Sequence, residues 1–176
     1  MTQSAIPRLE TPRLALRPLA MADARPMTPL ANDPGVSRMT TAIPHPFAQA
    51  DAEGFIDRMN KADPAREQVF AVERADGVFM GVLGLHPNNG PASELGYWLG
   101  RPYWGWGYMT EAVAAALAWA GRSWGRRALT SGHFADNPAS GAVLVKSGFL
   151  YTGQVEPRYS AARGETAQTR MMIWLA

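Results

Sequence analysis

The sequence predicts an α+β fold around a largely antiparallel sheet, and three observations lead there. Short apolar or alternating runs bounded by turn residues recur along the 176 residues. Three of them, 68–74, 78–85 and 93–99, follow one another closely enough to form a meander. Segments with helical spacing stand before and after that meander, not strictly alternating with single strands.

Taken in order, residues 1–12 read as a loose lead-in, loosest over 1–7. Arg13 to Leu19 alternates, with Leu14 and Leu16 on one face of a first strand. Asp23 is placed to cap a short helix that Pro26 and Pro29 would limit. Residues 34–46 read as loop. Gln49 to Lys61 carries Ala52, Phe55, Ile56 and Met59 at helical spacing. Gln68–Arg74 and Val78–Leu85 are strands joined by Ala75, Asp76 and Gly77. A turn over 87–91 leads to the strand Ser93–Leu99. Tyr108 to Trp119 is a helix whose many alanines suit close packing on a sheet, ended by Gly121 and Gly125. Ala128–Phe134 is a strand. Asn137–Lys146 is a helix with Asn137 as N-cap and Pro138 in the first turn. Phe149–Gln154 and Thr169–Leu175 close the chain as strands, with a loop between them. No repeat and no dividing linker is visible, so residues 1–176 read as one domain.

Composition narrows the function. Hydrophobic residues make up 47% and charged residues 18%, which indicates a packed globule and argues against disorder. No apolar run reaches membrane-span length and the first residues lack the apolar stretch of a signal peptide, so a cytoplasmic protein without membrane association is expected. There are no cysteines, which removes disulfides, thiolate metal sites and a cysteine nucleophile. His45, His86 and His133 share no ligand-type spacing, so no metal is expected. The 17 basic residues are spread out and the net charge is +2, which shows no nucleic-acid footprint.

The most informative stretch runs from Glu94 to Ala112. A strand enters a turn containing Gly105 and Gly107, and a helix follows. Such a turn aims free backbone N–H groups at one point, where the helix dipole also favours an anion, so it suits a phosphate or pyrophosphate. Paired glycines also occur in ordinary tight turns. No Gly-Lys-Ser/Thr follows, which excludes a Walker-type loop, and no acidic ribose partner supports a dinucleotide turn.

Three blocks then resemble one family. They are Leu9 to Leu19, then Leu95–Leu99 followed by Tyr103–Ala112, and finally Asn137–Ser140 through Lys146–Phe149. In this order they resemble the GNAT superfamily of N-acetyltransferases, and within it the RimJ/RimL branch of ribosomal-protein N-terminal acetyltransferases. The resemblance implies a three-layer fold: a mostly antiparallel twisted sheet of about seven strands, flanked by four helices and splayed at the acetyl-CoA strand. It implies acetyl-CoA as co-substrate and direct acetyl transfer to an amine, either a protein N-terminus or a small molecule. It also makes a homodimer plausible.

By position, the resemblance assigns the CoA pyrophosphate to the backbone of Gly105, Trp106, Gly107, Tyr108, Met109 and Thr110. Trp98, Leu99 and Trp104 fall on the cofactor wall, with Asn137, Ser140 and Lys146 on its far side. Two positions depart from the family pattern. Trp106 stands where a basic residue is common, and Met109 where Gly or Ala is common. Arg101 is available to supply the missing charge or to remain a solvated surface residue. These departures motivate the alternative of a CoA-sensing or scaffold protein on the same fold.

For chemistry, Glu94 is the candidate general base, with a solvent-facing strand glutamate as the other reading. Ser140 is placed to donate to the departing thiolate, or simply to sit in a first helical turn. Tyr97 would act as an acid, orient substrate, or pack in the core. Gly96 would fit a local bulge. Glu111 lies where negative charge favours a helix start. His45 would line the acceptor side. The acceptor itself has no readable code in 21–61 or 154–169.

Overall fold

A computed structural model describes residues 6–176. Its centre is one eight-stranded sheet, one strand more than expected. The strands are β1 (Leu9–Glu10), β2 (Leu14–Pro18), β3 (Gln68–Arg74), β4 (Phe79–His86), β5 (Ser93–Leu99), β6 (Ala128–Phe134), β7 (Leu150–Ser160) and β8 (Glu165–Leu175). Their order is β1-β2-β3-β4-β5-β6-β8-β7. Every neighbouring pair is antiparallel except β5 and β6.

Five α-helices accompany the sheet among the described residues, against four expected: α1 (Ala24–Ala31), α2 (Pro34–Ser37), α3 (Gln49–Asn60), α4 (Tyr108–Arg122) and α5 (Pro138–Lys146). The extra one, α2, is a single turn in the segment read as loop, capped by Asp33, whose side chain accepts from Gly35 N–H. The extra strand, β1, lies inside the lead-in, where Leu9 pairs with Leu16. Residues 1–5 of that lead-in lie outside the described residues. Pro26 falls in the first turn of α1, where no N–H is needed, and Pro29 sits inside a helix of only eight residues.

Alternation along the strands divides the core into two. Val69, Ala71, Phe79 and Val82 face α1 and α3, whose Met27, Ala31, Ala52 and Ile56 are buried on them. Phe70, Val72, Leu83, Leu85 and Leu95 face the opposite way, towards α4 and Leu144 of α5. On α4, Ala112, Ala116 and Ala120 recur every four residues and are fully buried. Ala114 and Ala118 face solvent instead, so only one stripe of the alanine helix makes the close approach. Gly121 lies within α4, and Gly125, at φ 70°, comes after Arg122 ends it.

Two further expectations are corrected. Gly96 keeps regular register opposite Gly84, so β5 has no bulge there; a register shift falls at Val72/Glu73 in β3. The loop expected over 154–169 is mostly strand: β7 and β8 form a long hairpin with Gly164 at φ 69° in its turn. Alternation is hard to read there because almost the whole of β7 is exposed on both faces. The hairpin tip is tied down across the molecule. Ser160 Oγ donates to Thr40 O at 2.9 Å, Ala161 N–H donates to Thr41 O at 2.9 Å, and Arg163 pairs with Asp136 at 2.8 Å.

The start of the chain is anchored to α4 by Glu111. Its carboxylate accepts from Thr11 Oγ1 at 2.6 Å, Arg13 N–H at 3.0 Å and Arg13 Nε at 2.7 Å. Partial burial alone would raise the Glu111 pKa, but the hydrogen bonds from Thr11 and Arg13 outweigh it and hold the carboxyl below its ordinary value. A depressed carboxyl stabilises the fold above the unfolded value, and that contribution fades as pH falls through the folded one. Glu111→Ala should therefore cost about 1–3 kcal/mol at pH 7. The gap from the wild type should close progressively below about pH 4.3. Denaturant melts at neutral and acid pH read both effects.

Candidate active site

β5 and β6 lie side by side but pair only at Ser93–Leu129 and Glu94–Thr130. Beyond that point they part. β5 stays fully paired to β4 through Leu99, so one row of its backbone groups faces the gap. Two of these are met by side chains: Ser131 Oγ donates to Leu95 O at 2.8 Å, and Trp104 Nε1 donates to Leu99 O at 2.7 Å. Period two then places the N–H and C=O of Tyr97 in the same gap. A cavity of about 510 Å³ occupies it, between β5, the start of α4, β6 and α5.

The turn before α4 closes one end of this cavity. Gly105 and Gly107 have φ of 79° and 76°, a backbone that side chains with a Cβ avoid. The helical ladder of α4 opens with Glu111 N–H to Gly107 O at 3.1 Å, which leaves the N–H groups of Tyr108, Met109 and Thr110 ahead of it. Arg13 braces this turn: its Nη1 donates to Trp106 O at 2.9 Å, and its guanidinium lies 4.6 Å from the Tyr108 ring centre. Gly105, Gly107, Tyr108, Met109 and Thr110 of this turn all line the cavity.

The structure gathers almost all the sequence-predicted residues here. Trp98, Leu99, Trp104, Gly105, Gly107, Tyr108, Met109 and Thr110 line the cavity on the β5–α4 side. Asn137, Ser140 and Lys146 line it from α5, and Glu94 and Tyr97 from β5. Trp106 does not line it; its side chain projects outward, 67% exposed. Met109 is buried against the core as well as lining the cavity. Arg101 is held by Asp33 at 2.7 and 2.8 Å, outside the cavity.

Asn137 caps α5 by accepting from Ser140 N–H at 3.3 Å. Tyr97 reaches across the gap to the same turn, with its oxygen 2.9 Å from Ser140 Oγ and 3.0 Å from Ser140 O. Burial pushes the Tyr97 phenol far up, and the hydrogen bond with Ser140 offsets only part of that. Tyr97 therefore keeps its proton throughout the working pH range, and the Tyr97–Ser140 pair holds two hydroxyl protons at the edge of the gap.

Glu94 stands where β5 and β6 separate. Both its oxygens are engaged by Arg158 of β7, at 2.5 and 3.1 Å. Arg158 lies in the segment expected to be a loop, so sequence reasoning had no means of bringing it to this site. His133 is buried on β6, with Nδ1–H donating to Phe134 O and Nε2 accepting from Tyr151 Oη, both at 2.9 Å.

A second chamber of about 600 Å³ opens on the opposite face, under α1 and α3. Its walls include Met27, Phe47, Phe55 and Met59, with Asp51, Arg58, Glu67 and His86 as polar groups. It meets the first cavity at Thr40, Thr41, Glu94, Gly96, Tyr97 and Trp98, which line both. Ile43, Pro44 and Phe47 line it, but His45 does not. Glu67 and His86 were not singled out by sequence. The one available signal was the glycine pair, Gly84 and Gly96, that leaves space on this face.

Comparison with known proteins agrees with this architecture. The family model described as "Acetyltransferase (GNAT) domain" matches residues 13–150. The chain belongs to the GNAT acetyltransferase family, which makes it an acetyltransferase with acetyl-CoA as acetyl donor. Among solved structures it is similar to RimJ of Mycobacterium smegmatis in complex with a CoA-disulfide, at TM-score 0.83 and 22% identity over 99% of this chain and 88% of that one. It is also similar to RimL, the ribosomal L7/L12 α-N-protein acetyltransferase in complex with coenzyme A, at TM-score 0.83 and 17% identity over 96% and 98%. A third is the spermidine N-acetyltransferase of Vibrio cholerae with CoA and spermine, at TM-score 0.77 and 20% identity over 94% and 96%. At these identities the likeness is one of fold.

The left-handed turn can be tested directly. A side chain at Gly105 would meet open space, so Gly105→Glu should fold, at a cost of about 1–2 kcal/mol for the conformation. Its carboxylate would stand among the donors of the turn. Calorimetric titration should show saturable acetyl-CoA binding by the wild type and none by Gly105→Glu, with far-UV circular dichroism unchanged.

Proposed function

We propose that the protein transfers acetyl from acetyl-CoA to a primary amine by direct attack in a ternary complex. The observation that carries this reading is the junction of the two chambers at Glu94, Gly96, Tyr97 and Trp98. A thioester lying in the gap between β5 and β6 is approached from one side by its own carrier and from the other by an acceptor. Such an arrangement makes the reaction effectively unimolecular and needs no covalent relay. The chain has no cysteine to form an acyl-thioester.

In this reading the backbone N–H groups from Gly105 to Thr110 hold the pyrophosphate, aided by the start of α4. Lys146, exposed on α5, supplies positive charge at the rim. The pantetheine arm lies along Trp98 and Leu99 and hydrogen-bonds the open backbone of Tyr97. Tyr97 and Ser140 donate to the sulfur as it becomes a thiolate. Glu94, hydrogen-bonded by Arg158, stands where the acceptor amine meets the thioester. Asp51 beside apolar walls suits an ammonium carried on an apolar stem. Such a chamber fits either a protein N-terminus, as in the RimJ/RimL branch, or a small amine.

The test is amine-dependent release of CoA by protein shown to bind acetyl-CoA, across a panel of N-terminal peptides and polyamines. Binding without release by any amine would support the CoA-sensing reading instead. For an active protein, Tyr97→Phe and Ser140→Ala should each lower kcat by about 10²-fold while acetyl-CoA affinity stays within a few-fold. Because Tyr97 keeps its proton, the wild type should show no alkaline loss of kcat attributable to that phenol.

A further inference from the structure

The chamber under α1 and α3 contains a pair of titratable groups to which sequence reasoning assigned no role. His86 ends β4, and its Nδ1 lies 2.5 Å from Glu67 Oε1. A carboxylate only accepts, so Nδ1–H is the donor, and in the neutral ring the lone pair is on Nε2. That nitrogen lies over the backbone of β4: a Cβ built on Gly84 would fall 2.2 Å from it, and one on Gly96 would fall 4.0 Å from Cδ2. Gly84 and Gly96 are direct partners across β4 and β5. The two glycines clear a floor on which the imidazole rests. Among the described residues Nε2 has no hydrogen-bond partner, and the side chain is 38% exposed.

His86 sits directly across the ladder from Glu94. It is thus one strand from the junction where both chambers meet. Glu94 has both oxygens engaged by Arg158, which leaves fewer of its acceptor sites open to a proton. His86 lines the acceptor-side chamber, and its Nε2 has no hydrogen-bond partner among the described residues. The other charged groups around this chamber are Asp51 and Arg58 of α3.

We propose that His86, held in one tautomer by Glu67, is the base that takes the proton of the acceptor amine. This rests on the acetyl-transfer reading above. The amine enters as an ammonium and gives one proton to His86 Nε2. Its nitrogen then bonds to the thioester carbonyl carbon. As the C–S bond breaks, the sulfur takes a hydroxyl proton from the Tyr97–Ser140 pair. The second N–H proton, released as the amide forms, restores that pair through solvent. The proton on His86 leaves to solvent by the exposed edge of its ring, so amide, free thiol and one proton are the products. Glu67 is a positioning residue: it fixes which ring nitrogen is free.

The experiment compares wild type, His86→Ala, Glu67→Gln and Glu94→Gln for acetyl-CoA binding by calorimetry and for amine-dependent CoA release. The expected result is unchanged acetyl-CoA binding by His86→Ala with kcat/KM for the amine down by about 10²-fold or more. Added imidazole should restore part of that loss, which a packing defect would not allow. The loss should shrink for amines already neutral at the assay pH. Glu67→Gln should lower kcat with little change in KM. A His86→Ala protein within about threefold of wild type, or a loss confined to Glu94→Gln, overturns the assignment and leaves acetyl transfer standing. A wild type that binds acetyl-CoA and acetylates no amine overturns both.

Discussion

Everything at the site depends on two parallel strands that pair at one end only. Backbone N–H and C=O groups in a protein interior must find partners. The parting of β5 from β6 after Glu94 leaves a row of them to be met by something else. Ser131 and Trp104 meet two carbonyls, at Leu95 and Leu99. The groups of Tyr97 between them are left for an extended ligand arm, which can add to β5 much as another strand would. A sheet without this fault would have no cavity, no access from both faces, and no reason for the glycine turn to stand where it does.

Side-chain ion pairs between distant segments then fix what surrounds the gap. Arg13 and Glu111 join the first strands to the start of α4 and brace the turn at Trp106. Arg158 and Glu94 join the last hairpin to the point where the strands divide. The hairpin tip is bound to residues 38–41 through Ser160, Ala161 and Arg163. Exposed pairs of this kind contribute little to stability singly. These are partly buried and bidentate or shared with backbone groups, so their main effect is to set position.

Local signals carried much of the architecture. The strand at 93–99, the helix starts at Tyr108 and at Pro138, the cap at Asn137 and the turn glycines Gly105 and Gly107 all follow from residue type and spacing, and each lies where expected. What the sequence hid was long-range or structurally ambiguous. β1 is two residues long and exists only because β2 gives it a partner. β7 is exposed on both faces, so no alternation marks it as a strand. The partners of Glu94 and His86 come from positions 158 and 67, and no periodicity along the chain reports a contact across a sheet. Of the two departures at the turn, the Trp106 side chain points outward and Met109 is buried, which residue type alone did not reveal.

The bracing of the turn by Arg13 has a thermodynamic corollary. A coupling free energy between two places on a protein is reciprocal. Arg13 touches both the carbonyl of Trp106 and the carboxylate of Glu111, while its own backbone leads into β2. Whatever occupies the donors of the turn therefore also resists the local opening of β2, although nothing bound there reaches that strand. In amide hydrogen exchange, a ligand at the turn would slow Leu14 and Leu16 along with its own contacts. Strand β2 would register occupancy of a pocket it does not line.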